Sequence, residues 1–133
     1  MQQPYTTPIT LYGIANCDTV KKARSWLTAQ GKSHVFHDFK KQGVPEAQLD
    51  HWLAAVGWEK LLNRKGTSWR RLDADTQAGV QDATTARALM LDQASVIKRP
   101  VVQWGEPANG TVTVSFDTAR WQSLLDEPGG DLP

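Results

Sequence analysis

The chain has 133 residues, 40% of them hydrophobic and 22% charged, which is the length and composition of one globular domain. Its 15 lysines and arginines against 14 aspartates and glutamates leave a net charge of +1, which argues against a broad basic surface for nucleic acid. A single cysteine excludes an internal disulfide, and no membrane span or secretory signal is recognisable, so we expect one cytoplasmic domain over residues 1–133.

The first predicted elements form a βαβ unit. Residues 9–13 alternate and are rich in strand formers, so a strand is expected that ends at Gly13. Residues 19–30 have apolar side chains on one helical face, and Gly31 follows where a helix commonly stops. Residues 33–39 alternate again, which predicts a second strand, parallel to the first through a right-handed crossover.

Helical periodicity dominates the middle of the chain, from about residue 44 to residue 93, and no convincing strand is predicted there. Pro45 suits the first position of a helix that Gly57 ends. This block therefore reads as a helical insertion. Its further helical segments are expected at residues 58–63, 67–72 and 84–92.

Strands return near the end of the chain. Residues 100–104 and 111–116 predict a hairpin, and Asp117 caps a last helix that runs to Leu125. A disordered tail is expected at about residues 127–133. The order βαβ then ββα predicts an α/β fold, a mixed sheet of the thioredoxin-like kind with a helical insertion. The hairpin turn is marked by Pro107, Asn109 and Gly110.

Cys17 lies directly before the first predicted helix. Unpaired backbone N–H groups and the helix dipole favour an anion at a helix N-terminus, and a thiolate is such an anion. The first turns of the helix also carry positive charge, from Lys21, Lys22 and Arg24. The negative charge of Asp18, in contrast, works against ionisation of the thiol. We therefore predict that Cys17 is a functional thiol rather than a buried structural one.

No second thiol is available to resolve a disulfide on Cys17. A Cys-x-x-Cys motif would place it three residues on, where this chain has Val20. A catalytic cycle must therefore use a thiol from glutathione or from another protein. No metal is expected, because His34, His37 and His51 have no usual ligand spacing with Cys17.

Lys98, Arg99 and Pro100 precede the third predicted strand. In one interpretation the two charges are solvated and the proline only begins an edge strand. In the other, the proline forms a cis peptide where the strand begins, and in thioredoxin-like folds that position faces the cysteine.

Three segments carry a family resemblance: residues 12–23 (YGIANCDTVKKA), 62–69 (LNRKGTSW) and 97–102 (IKRPVV). They resemble the arsenate reductase family and, more narrowly, its YffB-like branch, which is grouped with the Spx regulators. The similarity covers about residues 8–126. It implies a thioredoxin-like fold interrupted by a helical insertion.

The resemblance also implies roles for individual residues. Cys17 falls on the nucleophile that attacks arsenate before glutathione resolves the adduct. Arg64 and Arg99 fall on arginines that hold the oxyanion, and Lys21 takes the place of a basic residue on the first helix. Guanidinium forks fit oxyanions and carboxylates alike, so the two arginines could hold arsenate or a glutathione carboxylate. Supporting residues are predicted at Asn16, Thr19, Pro100 and Trp69.

The chain departs from the reductases of this family at two places. They carry a histidine where this chain has Gly13, and a further arginine in the hairpin region, where this chain has Val114, Ser115 and Phe116. Losing one charge-assisted contact weakens oxyanion binding by ~1.5–3 kcal/mol, or about ten- to a hundredfold.

Three functions follow as hypotheses. The first is a glutathione-dependent thiol reductase or transferase, an oxidoreductase with glutathione as thiol co-substrate, glutaredoxin as a further partner and no metal. The second is arsenate reduction proper, coupled to glutaredoxin. The third is an Spx-like regulator that binds the RNA polymerase alpha subunit without contacting DNA, although Val20 removes the Cys-x-x-Cys switch common in that branch.

The six tryptophans are predicted to pack in the core rather than to form ligand-stacking surfaces. Trp69 is the one expected nearest the site, because it adjoins Arg64 in sequence. The others are Trp26, Trp52, Trp58, Trp104 and Trp121.

Overall fold

One four-stranded sheet with helices on both faces forms the fold. The computed structural model describes residues 9–105 and 111–126. The strands are β1 (Ile9–Gly13), β2 (Val35–Asp38), β3 (Val101–Trp104) and β4 (Thr111–Val114). The helices are α1 (Asp18–Ala29), α2 (Phe39–Gln42), α3 (Glu46–Val56), α4 (Trp58–Leu61), α5 (Thr67–Arg70), α6 (Ala74–Ala78), α7 (Ala83–Asp92) and α8 (Thr118–Asp126).

The sheet is mixed and has the strand order β2-β1-β3-β4. Strands β1 and β2 are parallel, whereas β1 with β3 and β3 with β4 are antiparallel. The predicted βαβ and ββα units are thus confirmed. Because antiparallel neighbours run in opposite directions, the end of β1, the start of β3 and the end of β4 meet at one edge of the sheet. This edge positions the candidate site.

Two hydrophobic cores lie on opposite faces of the sheet, because successive side chains of a strand point to opposite faces. Leu11 and Val102 belong to the core beneath α1 and α8, whereas Tyr12 and Val101 belong to the core beneath the middle helices. Within the described part of the chain, none of the helices has the length and apolar character to span a bilayer.

Helices α3 to α7 form the predicted insertion, which the structure confirms. The insertion is tied back to the sheet by an isolated antiparallel bridge between Leu62 and Ile97. The backbone N–H of Asn63 donates to Val96 over 2.8 Å, and that of Lys98 donates to Leu61 over 2.8 Å. The sequence predicted no strand pairing in this block, so this connection was missed.

Several boundaries differ from the predictions for local reasons. The second strand ends at Asp38, which is the N-cap residue of α2. Its side chain accepts a hydrogen bond from the N–H of Lys40. Helix α6 was not predicted, and Asp73 caps it. Strand β4 stops at Val114, because Ser115 has a φ of 78°. The predicted tail at residues 127–133 and the turn residues Pro107, Asn109 and Gly110 lie outside the described residues.

Trp121 of α8 is fully buried at the centre of an aromatic cluster. Its ring centroid lies 5.8 Å from Trp26, 5.1 Å from Trp104 and 4.9 Å from Phe116. The prediction that the tryptophans serve the core is confirmed. Trp52, Trp104 and Trp121 are buried, and Trp26, Trp58 and Trp69 are partly buried against the two cores.

Candidate functional site

Cys17 occupies the N-cap position of α1, directly before its first residue. Its backbone is extended, with φ −139° and ψ 121°, and its carbonyl accepts the first helical hydrogen bond from the N–H of Lys21 over 2.9 Å. The thiol makes no capping hydrogen bond, is partly exposed, and packs against both cores. It therefore lies at the sheet edge, where solvent and the free N–H groups of the helix meet.

Pro100 lies at the same edge. The Arg99–Pro100 peptide is cis, in agreement with the second interpretation of this segment. Val101, the next residue, pairs with Tyr12 near the end of β1, from which a short loop leads to Cys17. The N–H of Ser115 donates to the Pro100 carbonyl over 3.0 Å. The position of the missing hairpin arginine is thus also at this edge.

Arg99 is held by its own segment. Nη1 donates to the carbonyl of Ser95 over 2.8 Å. Nε is buried and has no hydrogen-bond partner among the described residues. A buried donor without a partner is costly unless a ligand or water satisfies it. Arg99 is nevertheless partly exposed, and no hydrogen bond of Nη2 is found among the described residues, so this nitrogen keeps donor capacity for an anion.

Arg64 is exposed and rests on its own helical segment. Its guanidinium carbon lies 5.2 Å from the ring centroid of Trp58, and Nη2 lies 3.8 Å from Oε2 of Glu59. With 47% of the Arg64 side chain and 74% of the Glu59 side chain exposed, this ion pair contributes little to stability. Arg64 is therefore not fixed against a charged partner.

The two arginines are brought into one region by the Leu62–Ile97 bridge. The hydrogen bonds of this bridge join Asn63, the residue before Arg64, to Val96, the residue after the Ser95 whose carbonyl holds Arg99. No contact of either guanidinium with Cys17 is found in the described structure. The arrangement is that of two cations on hydrogen-bonded segments, of which Arg99 directly precedes Pro100 at the edge that carries the thiol.

The remaining predicted site residues lie partly around the start of α1 and partly in the helical insertion. Asn16, Thr19 and Lys21 are exposed around the start of α1. Trp69 is partly buried, and its carbonyl accepts a hydrogen bond from Nε2 of Gln77 over 2.8 Å. The ring that Arg64 contacts is that of Trp58, which sequence reasoning did not single out. A tryptophan six residues before an arginine carries no recognisable spacing signal.

Burial controls the ionisation of two groups near α1 and β1. It raises the pKa of Tyr12, so that the phenol stays protonated at neutral pH. Burial also lowers the pKa of His34, and the positive charge of Arg24 lowers it further. A hydrogen bond with the backbone of Lys32 raises this pKa, but by less. Over residues 9–105 and 111–126, no group of three or more His, Cys, Asp and Glu side chains could hold a metal ion.

Helix α1 packs very closely on the end of β1 at Gly13. A Cβ atom added there would lie 2.7 Å from Cγ2 of Val20, which is fully buried. Real Cβ atoms do not approach so closely, so Val20 leaves no room for a side chain at this position. A histidine like that of the resembling reductases therefore fits here only if the Val20 side chain or α1 moves.

We expect Gly13→Ala to lower the free energy of unfolding by about 1–3 kcal/mol, because the added methyl group overpacks the contact with Val20. In a Val20→Ala background the same change should cost at least about 1 kcal/mol less, since the opposing methyl groups are gone. Urea denaturation of the four proteins measures this coupling. An equal cost of Gly13→Ala in both backgrounds would contradict the close contact.

Comparison with known proteins agrees with this architecture. The sequence model of the ArsC family matches residues 12–124. An uncharacterised protein of Haemophilus influenzae is 35% identical over 117 residues, which cover 88% of this chain and 98% of that protein.

Two solved structures are also similar over nearly their whole length. A protein named YffB is 41% identical, with a TM-score of 0.80, covering 88% of this chain and 98% of its own. A protein of Brucella melitensis described as related to arsenate reductase (ArsC) is 44% identical, with a TM-score of 0.70, covering 93% and 99% of the two chains. The predicted thioredoxin-like fold is confirmed by these matches.

Proposed function

This chain belongs to the ArsC family, and from that premise we propose that it is a glutathione-dependent thiol reductase with Cys17 as its single nucleophile. The observation that carries the proposal is the position of Cys17, partly exposed at the N-terminus of α1 and at the end of the sheet where β3 begins after the cis Arg99–Pro100 peptide. Residue 20, where a resolving thiol would stand, is a fully buried valine. The second thiol therefore comes from outside the chain.

The proposed reaction is two successive thiol–disulfide exchanges. The Cys17 thiolate attacks the glutathione sulfur of a mixed disulfide, so that a Cys17–glutathione disulfide forms and the substrate leaves as a thiolate, which takes up a proton. A second glutathione thiolate then attacks the glutathione sulfur of that disulfide. Glutathione disulfide leaves and the Cys17 thiolate is regenerated. Each turnover consumes one glutathione thiol, and the mixed disulfide and this thiol become the substrate thiol and glutathione disulfide.

Arg99, Arg64 and Lys21 are proposed to bind the carboxylates of glutathione. Arg99 is partly exposed and donates through Nη1 to the carbonyl of Ser95, which leaves Nη2 to donate to a carboxylate. Arg64 can leave its weak contact with Glu59 at little cost, since both side chains are exposed. Asn16, Thr19, Pro100 and Trp69 are proposed to shape the surroundings rather than to react.

Arsenate reduction is the weaker proposal for this chain. The close contact of Val20 with Gly13 disfavours a basic side chain at residue 13, where the resembling reductases carry a histidine. The hairpin residues at the same edge, Ser115 and Phe116, offer no guanidinium group. Glutaredoxin stays a proposed partner for recycling the enzyme. The comparisons give no support for binding of the RNA polymerase alpha subunit.

The proposed activity is tested by turnover of a small substrate, the mixed disulfide of glutathione and 2-mercaptoethanol. Purified protein is mixed with this disulfide and glutathione, and the formation of glutathione disulfide is followed. We expect a rate proportional to protein concentration and saturable in the mixed disulfide. A rate no higher than that of the protein-free mixture would refute the proposed function.

For Arg99→Ala we expect the KM for the glutathione mixed disulfide to rise about ten- to a hundredfold, because a charge-assisted hydrogen bond worth ~1.5–3 kcal/mol is lost. The KM of Arg99→Lys should lie between those of the wild type and Arg99→Ala, since lysine keeps the positive charge but lacks the planar guanidinium group. The matched control is Arg70→Ala, which removes an exposed arginine of α5. If Arg99→Ala changes the KM no more than Arg70→Ala does, Arg99 does not bind the substrate.

A further inference from the structure

An open groove of about 500 Å³ runs between α1 and the segment that joins β4 to α8. It is not explained by the reaction at Cys17 alone. Its lining combines lysines with aromatic rings, which is a different chemistry from that of the two arginines. The lining residues are Lys21, Lys22, Ser25, Trp26, Phe116 and Thr118.

The floor of the groove is apolar and well supported. Trp26 and Phe116 are partly buried, with ring centroids 6.3 Å apart. Both rings rest on the fully buried Trp121, at 5.8 Å and 4.9 Å. Because this support is fully buried, the floor offers a prepared surface for an apolar side chain rather than a loose patch.

The rim of the groove is positively charged. Lys21 and Lys22 are exposed, and neither forms an ion pair with a carboxylate of residues 9–105 or 111–126. Two acidic side chains lie close in sequence to the lining residues, Asp18 and Asp117. The latter accepts a hydrogen bond from the N–H of Arg120 and thereby caps α8.

Positive charge continues around α1 to its other side. A second groove of about 520 Å³ shares Lys21 with the first and adds Arg24 and His34. The Arg24 guanidinium is fixed there, because it lies 4.3 Å from the centroid of Phe36 and its Nε donates to His34 over 3.3 Å. The exposed surface of α1 therefore attracts an acidic partner, although the whole chain is almost neutral.

The groove begins one helical turn beyond the thiol. Cys17, Lys21 and Ser25 follow each other at intervals of four residues and so lie along one face of α1. One such interval is about 6 Å, the length that roughly two residues of an extended peptide span. In the proposed exchange the substrate's sulfur is bonded to the glutathione sulfur that Cys17 attacks, so it lies about 4 Å, or two S–S bond lengths, from the Cys17 sulfur. A side chain two to four residues along the leaving polypeptide can thus reach Trp26 and Phe116.

The groove and Arg64 of the helical insertion lie on different sides of the Cys17 thiol. Trp26 and Phe116 pack on the core beneath α1 and α8, whereas Arg64 belongs to the insertion on the opposite face of the sheet. Cys17 contacts both cores. A mixed disulfide can therefore direct its glutathione half towards the arginines and its leaving thiol towards the groove.

We propose that the groove docks the leaving half of the substrate, and that this half is a polypeptide: an acidic segment with an apolar side chain two to four residues from its glutathionylated cysteine. This inference rests on the proposed function and names the substrate class of the same site. Lys22 attracts the acidic residues, Lys21 stays assigned to glutathione, and Trp26 and Phe116 receive the apolar side chain. The polypeptide leaves with its cysteine as a thiolate, in the exchange given above.

The test measures docking without thiol chemistry. Two synthetic peptides carry serine in place of the substrate cysteine and leucine three residues away, one flanked by glutamates and the other by lysines. Calorimetry with wild-type protein should show binding of the acidic peptide only, weakened by added salt. Lys22→Glu should weaken that binding at least about tenfold, because it places a like charge at the rim. Lys41→Glu, an exposed charge reversal on α2, should not change it.

Equal binding of both peptides, no binding, or no effect of Lys22→Glu would overturn the inference. Displacement of the acidic peptide by glutathione alone would also overturn it, by assigning the groove to glutathione. Because no thiol reacts in this assay, its failure leaves turnover of the small mixed disulfide unaffected. Loss of that turnover, in turn, leaves the docking result standing.

Discussion

Replacing Cys17 by serine is expected to lower the turnover of glutathione mixed disulfides roughly 10³-fold or more, to the rate of uncatalysed exchange. A serine hydroxyl is not ionised at neutral pH and forms no disulfide, and the chain has no other cysteine to take over the reaction. The measurement is the same formation of glutathione disulfide from the mixed disulfide of glutathione and 2-mercaptoethanol.

The fold should be nearly unaffected by this replacement. The side chain is partly exposed and similar in size to serine, so we expect the free energy of unfolding to change by less than about 1 kcal/mol. Ser33→Ala, at an exposed position before β2, serves as the matched control and should keep full turnover. Activity retained by a folded Cys17→Ser protein would show that another group carries the reaction.

Trp121→Ala is expected to lower the free energy of unfolding by about 3–5 kcal/mol, the largest effect on stability that we predict. The indole ring is fully buried and contacts Trp26, Trp104 and Phe116, so that alanine leaves a cavity between α8 and the sheet. Such a loss is a large part of the roughly 5–15 kcal/mol that stabilises an ordinary domain. Urea denaturation followed by circular dichroism measures it.

The Trp121→Phe variant distinguishes the contribution of the aromatic contacts to stability from that of the indole N–H group. The Nε1 atom of Trp121 is buried without a partner among the described residues, so the indole N–H makes no compensating hydrogen bond. Phenylalanine keeps most of the aromatic contacts and removes this donor. We therefore expect a loss below about 1.5 kcal/mol. A loss as large as that of Trp121→Ala would show that the N–H group is satisfied and important.

The elements that frame the site could be predicted because their signals are local. Strand alternation over residues 9–13, the apolar face of α1 and the cap at Asp117 are all visible in short stretches of sequence. The position of Cys17 follows from them directly. The cis Arg99–Pro100 peptide was foreseen as one of two interpretations, because proline is the residue at which cis peptides occur.

Short elements were missed because caps rather than periodicity hold them. Helices α2 and α6 have four and five residues, too few for an apolar face to repeat. Their signal was present in the caps, since Asp38 accepts from Lys40 and Asp73 accepts from Thr76. Aspartate immediately before a helix-forming stretch could have located both helices.

Contacts between distant segments were beyond the reach of sequence patterns. Gly13 was interpreted as the end of a strand and as a departure from the histidine of the resembling reductases. The physical reason for a glycine there, the close contact with Val20, was not foreseen. The Leu62–Ile97 bridge, which brings the segments of Arg64 and Arg99 together, depends on the path of the whole insertion. Such pairings follow from tertiary packing, which no local spacing encodes.

The central claim is that the fold makes Cys17 a nucleophile towards glutathione disulfides. It is tested most directly by mixing the protein with glutathione disulfide at neutral pH and following the Cys17–glutathione adduct by mass spectrometry, once folded and once unfolded in urea. Both samples contain the same single thiol, so any difference in rate is due to the fold. We predict that the folded protein reacts at least about ten times faster and that added glutathione reverses the adduct. A folded rate equal to or below the unfolded rate would contradict the claim and return Cys17 to a structural role.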